Sequence, residues 1–342
     1  MRRARLRLGT RGSRLSLRQT ELAAEILRGR ALSSGSEVAL EVVVIQTAGD
    51  RAPDVPLEHL EGIGFFAREL EAALLDGRCD LAVHSAKDLP TEIHHDLVLG
   101  AFPPRADPRD VLVAAPGRWL ATLPPGASIA TSSVRRSAQI LHFRPDLRAV
   151  PIRGNIDTRL GKLDRGVYDA LCLAGAGLVR MEWQERITEW LEPEIMLPAP
   201  GQGALVLEVR RGDADLMEWL DGLDDRPTRI AVEAERAFVA RLGSGCRAPA
   251  AALATVAGDS VTLEGLIALP DGSVVRRHRA AGPAGEAGEL GTSVADHLLA
   301  DAGFALDVAR LSASAGVSGI PAPPAAPKDG RPRGATREDR TP

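Results

Sequence analysis

Aromatic residues make up only 3% of this 342-residue chain, with a single tyrosine. That leaves little on which to stack bases, and a net charge of −4, from 46 acids against 42 bases, has the wrong sign for a dedicated nucleic-acid binder. The three cysteines, Cys79, Cys172 and Cys246, are odd in number and far apart. That argues against a disulfide framework and for a reducing compartment. No apolar run is long enough to span a membrane, and MRRARLRLGTRGSRLSL at the N-terminus has bases but no apolar core of a signal peptide. The expectation is a soluble, cytoplasmic protein. No Cys/His spacing suits zinc, and there is neither a P-loop nor a G-x-G-x-x-G after a strand. Lysine is scarce: only Lys87, Lys162 and Lys328 interrupt the arginines. Where arginine is the default, a lysine suggests a need for a compact ammonium.

What is abundant is arginine, and it is concentrated. Thr131 to Arg159 carries Arg135, Arg136, Arg144, Arg148, Arg153 and Arg159. Ser132 and Ser133 are good helix caps, and Val134, Ile140 and Leu141 fall on one helical face. Arg135 and Arg136 then occupy a first helical turn, where cations oppose the helix dipole. Two such choices in succession suggest that anions sit there, against free N–H groups and guanidinium forks. A short strand, Leu147 to Ile152, leads to Arg153-Gly154-Asn155, and Asn155 can cap a second helix carrying Arg159. Two strand-to-helix junctions thus present arginine to a ligand rich in carboxylates or phosphates. A plain basic surface is the competing reading.

The 44% hydrophobic content can fill the cores of two or three domains. Leu6–Thr10, Leu40–Ile45 and Asp80–His84 read as strands. Helices from Ser13 to Leu27 and from Phe66 to Leu75 lie between them, with a lid-like loop over 46–64. This β-α-β-α-β order implies a parallel sheet with ligands at the carboxyl ends of its strands. A second α/β unit follows, with strands near 111–114, 128–130, 147–152 and 170–173. Pro/Asp-rich 103–110 and Pro193–Pro200 read as hinges, and 204–209 as a strand that could rejoin the first sheet. Helices over 213–220 and 227–242, strands over 252–256, 261–268 and 273–278, and a helix over 289–302 suggest a small α+β unit. From about Ser312 the Ala/Pro/Gly-rich composition reads as a disordered tail. The expected domains are therefore 1–103 with 201–222, then 107–198, then 226–311, with the tail at 312–342.

Two places carry chemistry. HSAKDLP (84–90) follows the third strand, so Lys87 and Asp88 lie where α/β sites form. Asp88 could serve as acid or base, or hold an N–H-bearing substrate; the alternative is an ordinary turn with a surface ion pair. Arg11 and Ser13 lie in the turn after the first strand, at the same sheet edge. Cys246 sits in the glycine-rich GSGCRAP (243–249), where Arg247 could favour thiolate, although a buried structural cysteine is the commoner case.

These separate signals match one family. The chain resembles hydroxymethylbilane synthase, also called porphobilinogen deaminase. The matching runs are GTRGSRLSL (9–17), QTAGD (46–50), HSAKDLP (84–90), DPRDVLV (107–113), TSSVRRSAQ (131–139), RGNIDTRLGKLD (153–164), LPAPGQGAL (197–205), ERAF (235–238) and GCRAP (245–249). The resemblance implies two α/β domains like periplasmic binding proteins, joined by a double hinge, and a small α+β C-terminal domain. It implies head-to-tail joining of four porphobilinogen molecules with loss of ammonia, giving hydroxymethylbilane, which passes to uroporphyrinogen-III synthase. It implies a monomer without nucleic-acid or membrane partners, and no metal. It puts a dipyrromethane cofactor on Cys246 through a thioether and catalysis on Asp88. Cofactor contacts fall on Ser13, Asp50, Lys87, Thr131, Ser132, Ser133, Arg135 and Arg136. Substrate contacts fall on Arg11, Phe66, Arg153, Arg159 and Gln202. One departure stands out: Ile63 lies between two glycines where the family carries lysine. A non-catalytic binding module for a polycarboxylate would share the two-domain core but would not need Asp88 and Cys246 together.

Overall fold

A computed structural model describes residues 5–33, 35, 37–46, 67–243 and 249–300. The alternation RLRLGTR makes β1 (Arg5–Arg11), with Leu6 and Leu8 fully buried and arginines outward. It pairs in parallel with β2 (Ala39–Ile45) and β3 (Leu81–Ser85). Beyond β3 come β10 (Leu205–Arg210) and β4 (Leu97–Ala101), in the order β2-β1-β3-β10-β4, with β10 antiparallel to both neighbours. The second sheet repeats the scheme. It holds β5 (Asp110–Ala114), β6 (Ser128–Ala130), β7 (Arg148–Val150), β8 (Ala170–Ala174) and β9 (Glu189–Trp190), in the order β7-β6-β8-β5-β9. Here β5 is the antiparallel strand in the fourth position. The chain therefore crosses between the sheets twice, after β4 and before β10.

The helices are α1 (Arg14–Ser33), α2 (Arg68–Leu75), α3 (Val134–Phe143), α4 (Ile156–Asp164), α5 (Gly175–Arg180) and α6 (Ala214–Asp221). The third layer is the antiparallel meander β11 (Ala250–Ala257), β12 (Ser260–Ala268) and β13 (Val275–Pro283), covered by α7 (Arg226–Leu242) and α8 (Ala287–Leu299). Asp225 caps α7 by accepting from Thr228 N, and Gly243 closes it at φ 63°. Phe238 is the fully buried centre of this layer, and a Cβ on Gly265 would come within 2.5 Å of its ring. Truncating Phe238 to alanine would cost about 3–5 kcal/mol.

The sequence expectations differ from the structure in detail. α3 begins at Val134, with Ser132 and Ser133 outside it, and β7 is shorter than 147–152. Strands β4 and β9 and helix α5 were not anticipated. The 46–64 loop beyond Gln46, with Asp50 and Ile63, lies outside the described residues, as do Phe66, Cys246 and everything after 300.

Candidate functional site

Strand β3 ends in a single 3-10 turn, Ala86–Asp88. The turn is pinned from the second crossing: Ala86 N donates to Ala204 O at 3.0 Å. Two glycines let the chain pass so closely. Gly201 (φ 72°) lies against Ala86, and at Gly203 (φ 87°) a Cβ would meet the Ala106 carbonyl oxygen at 2.4 Å. Both crossings thus touch beside Lys87 and Asp88.

Lys87 Nζ donates to Gln202 Oε1 at 3.3 Å. Gln202, 1% exposed, donates through Nε2 to Pro108 O at 2.7 Å and Asp110 Oδ1 at 2.9 Å. Asp110, fully buried, accepts from Arg136 Nε at 2.9 Å and Nη2 at 2.7 Å, and pairs with Arg135 Nη1 at 2.7 Å. Arg135 Nη1 also donates to Leu197 O at 2.7 Å. One polar chain therefore runs from Lys87 through both crossings to the first turn of α3. Burial alone would raise the Asp110 carboxyl, but Arg135 and Arg136 hold it far below the usual carboxylate range. The anion expected at Arg135 and Arg136 is, in the first instance, part of the protein. Gln202, whose two amide ends are both occupied, ties the two crossings together at the wall of the site.

Two cavities meet at the turn, and both reach Lys87, Asp88 and Arg136. One, of about 260 Å3, has Arg11 and Ser13 on one wall and Arg159 and Arg180 on the other. The second, of about 310 Å3, is closed by Ser132, Ser133 and Arg135 and by Arg236, Val239 and Ala250 from the third layer. Val239 and Ala250 lie on either side of 244–248, the segment that carries Cys246. Asp88 is exposed in this space and makes no hydrogen bond or ion pair among the described residues. Burial, reinforced by Arg136, lowers Lys87 to about 8 against the pull of Asp88. Burial lowers Arg159 to about 10, with Arg136 and Arg153 adding to the effect, and lowers Arg180 to about 10. Each has a backbone carbonyl as partner: Arg159 Nε donates to Gly154 O at 2.8 Å and Arg180 Nη2 to Gly203 O at 2.6 Å.

The hydroxyls beside Arg135 are partly committed. Thr131, 3% exposed, accepts from Ser133 N at 3.2 Å, Ser133 caps α3, and Ser132 bonds the Ile152 backbone. Ser13 accepts from Ser16 N at 3.2 Å and so caps α1. Thr131 and Arg153 do not line either cavity. Asp50, Phe66 and Cys246 lie outside the described residues. Cys79 and Cys172 are core thiols, pushed up by burial to about 11 and about 12. Sequence reasoning missed Asp110, Arg180 and Glu235. Glu235 accepts from Arg105 Nη1 and Nη2, Gly201 N and Ala254 N, tying the crossings to the third layer. An acid opening the otherwise apolar strand DVLVA was the available signal for Asp110.

The family model for the porphobilinogen deaminase dipyromethane cofactor binding domain matches residues 6–218, and that for the porphobilinogen deaminase C-terminal domain matches 229–300. The chain belongs to the porphobilinogen deaminase family. It is 48% identical over 301 residues to the porphobilinogen deaminase of Roseiflexus castenholzii, covering 88% of this chain and 98% of that one. It is 50% identical over 298 residues to that of Acidothermus cellulolyticus, covering 86% and 88%. Among solved structures, the periplasmic aliphatic sulphonate binding protein of Escherichia coli aligns at 16% identity and a TM-score of 0.37, over 71% of this chain and 72% of that one. The mixed α/β class itself rests on the two five-stranded sheets and their shared strand order.

Proposed function

We infer that this protein joins porphobilinogen molecules head to tail with loss of ammonia and releases hydroxymethylbilane. The observation that carries the reading is the meeting of two cavities on Lys87, Asp88 and Arg136, in a chain of this family. Each porphobilinogen brings an acetate and a propionate. Arg11 on one wall, Arg159 and Arg180 on the other, and Lys87 with Arg136 between offer forks and a point charge to several carboxylates in a partly dry space. Ammonia leaving the aminomethyl arm creates positive charge on the pyrrole. Asp88, without a side-chain partner among the described residues, accepts the pyrrole N–H and stabilises that charge as it develops.

The second cavity suits the dipyrromethane. Ser132, Ser133 and Lys87 offer donors, the third layer supplies apolar Val239 and Ala250, and Cys246 would hold the group through its sulfur. When bound, it supplies the pyrrole carbon to which the first substrate is joined. The proposed domains are 1–103 with 201–222, 107–198 and 226–311. Their hinges are the crossings near 103–107 and 198–203, which would let the cleft lengthen with the product. Among the described residues no helix is long and apolar enough to cross a membrane. We place the reaction in the cytoplasm, carried out by a monomer that hands its product to uroporphyrinogen-III synthase. A mere polycarboxylate binder is not favoured, because it has no use for an exposed carboxylate at Asp88 among cations.

The test is stoichiometry. Purified protein given porphobilinogen should release four ammonia molecules per hydroxymethylbilane formed, and Asp88→Glu should slow both together by about 100-fold or more. Porphobilinogen that binds but is recovered intact would leave only the binding module.

A further inference from the structure

Arg180 reaches the substrate cavity from the last residue of α5, a helix of six residues that holds little of its own shape. Leu178 anchors that helix in the core of its own lobe, and the turn that follows Arg180 is held from the other lobe as well. Arg18, on α1, donates through Nε to Arg180 O at 3.3 Å and through Nη2 to Glu182 Oε1 at 3.2 Å. The same guanidinium bonds Glu21 one turn along its own helix at 3.3 Å, so its direction is set before it crosses the cleft. One turn earlier, Arg14 lies over the ring of Trp183 at 5.1 Å. Two arginines of α1 thus hold two successive residues of the turn that follows Arg180.

The turn carries a second mark. Glu182, at φ 60°, is the only described residue other than glycine with a positive φ. Its N–H bonds Val179 O at 3.0 Å, and Trp183 N bonds Leu178 O at 2.8 Å, which closes α5 in the pattern that usually recruits glycine. A glycine there would be less strained but would carry no carboxylate. The strained glutamate supplies one, and it meets Arg18 across the cleft.

We propose that Arg18 is a positioning residue for Arg180, acting with Glu182 and Trp183 as a clasp between α1 and α5 that aims Arg180 at a substrate carboxylate. The kinetic consequence rests on the function inferred above; the clasp itself does not. Hydrogen exchange on the full chain without substrate therefore tests the clasp alone. Arg18→Ala should speed exchange of the Met181–Trp183 amides several-fold while leaving those of α3 unchanged. With porphobilinogen and the holoenzyme, Arg18→Ala should raise KM about two- to five-fold with kcat nearly constant. The same change made in an Arg180→Ala background should raise KM no further. Glu182→Gly should raise KM less than Arg18→Ala while raising Tm, because strain is relieved as the ion pair is lost. Unchanged exchange in Arg18→Ala overturns the clasp. An equal KM increase with and without Arg180 overturns the positioning role. Failure of the parent enzyme to consume porphobilinogen would instead defeat the functional reading, with exchange still deciding the clasp.

Discussion

Arg135 and Arg136 carry their counter-ion with them, whereas Arg159 and Arg180, from the same α/β unit, have only backbone carbonyls as hydrogen-bond partners among the described residues. The first pair is buried against Asp110 and links both crossings to α3. The second pair is half-buried, and burial lowers both pKa values with no carboxylate among the described residues to offset it. Arginine density in the sequence therefore covers two jobs. One set fixes the frame of the cleft; the other waits for carboxylates that arrive with the substrate. Arg136 belongs to both, since it is tied to Asp110 and also lines the two cavities.

The sharpest way to break this comparison is to remove the internal counter-ion. Asp110→Asn should destabilise the protein by about 3–5 kcal/mol, because two guanidiniums stay buried without an anion. Urea unfolding reads this directly, and a variant as stable as its parent would put Arg135 and Arg136 in the ligand-binding set instead. The opposite manipulation should barely touch stability. Arg180→Ala should raise KM for porphobilinogen about tenfold or more, the loss of a charge-assisted bond, with Tm unchanged or higher. A fall in Tm without a change in KM would make Arg180 a frame residue.

Lys87 lies between the two sets and gives the smallest effect at neutral pH. Its pKa is about 8 in the folded protein against 10.5 as a free side chain. Between those values the unfolded chain holds a proton that the folded one has shed, so the Lys87 contribution to stability rises with pH over that window. Cys172, with its thiol pushed up to about 12, contributes with the opposite sign, so only a difference isolates the lysine. The stability of wild type minus that of Lys87→Met, measured by urea unfolding at pH 8 and pH 10, should grow with pH. A constant difference would mean that Lys87 is not desolvated.

The alternation of β1, the apolar runs of β3 and β8, and the capping serines before α1 and α3 all declared themselves in the sequence, because those signals are local. The return of β10 into the first sheet was also legible. What escaped depends on contacts distant along the chain. Nothing in DPRDVLV says that Asp110 turns toward residues 25 and 26 positions later. The run GAGLVR has no helical periodicity, so α5 and Arg180 went unnoticed. β4 contains Gly100, which packs tightly beneath Leu220, and β9 has two residues, too few for any pattern. At the site, the motif residues Lys87, Asp88, Arg11 and Arg159 come to one space, and Gln202 lines the second cavity while bracing the frame. Thr131 and Arg153 stay off the cavity walls.

The intact mass of the protein, denatured after purification from cells that make porphobilinogen, tests the central claim most directly. The account predicts a mass above that of the chain by one covalently held dipyrromethane, retained in Asp88→Glu and absent in Cys246→Ser. The bare chain mass in wild type, or an adduct that survives in Cys246→Ser, would contradict it.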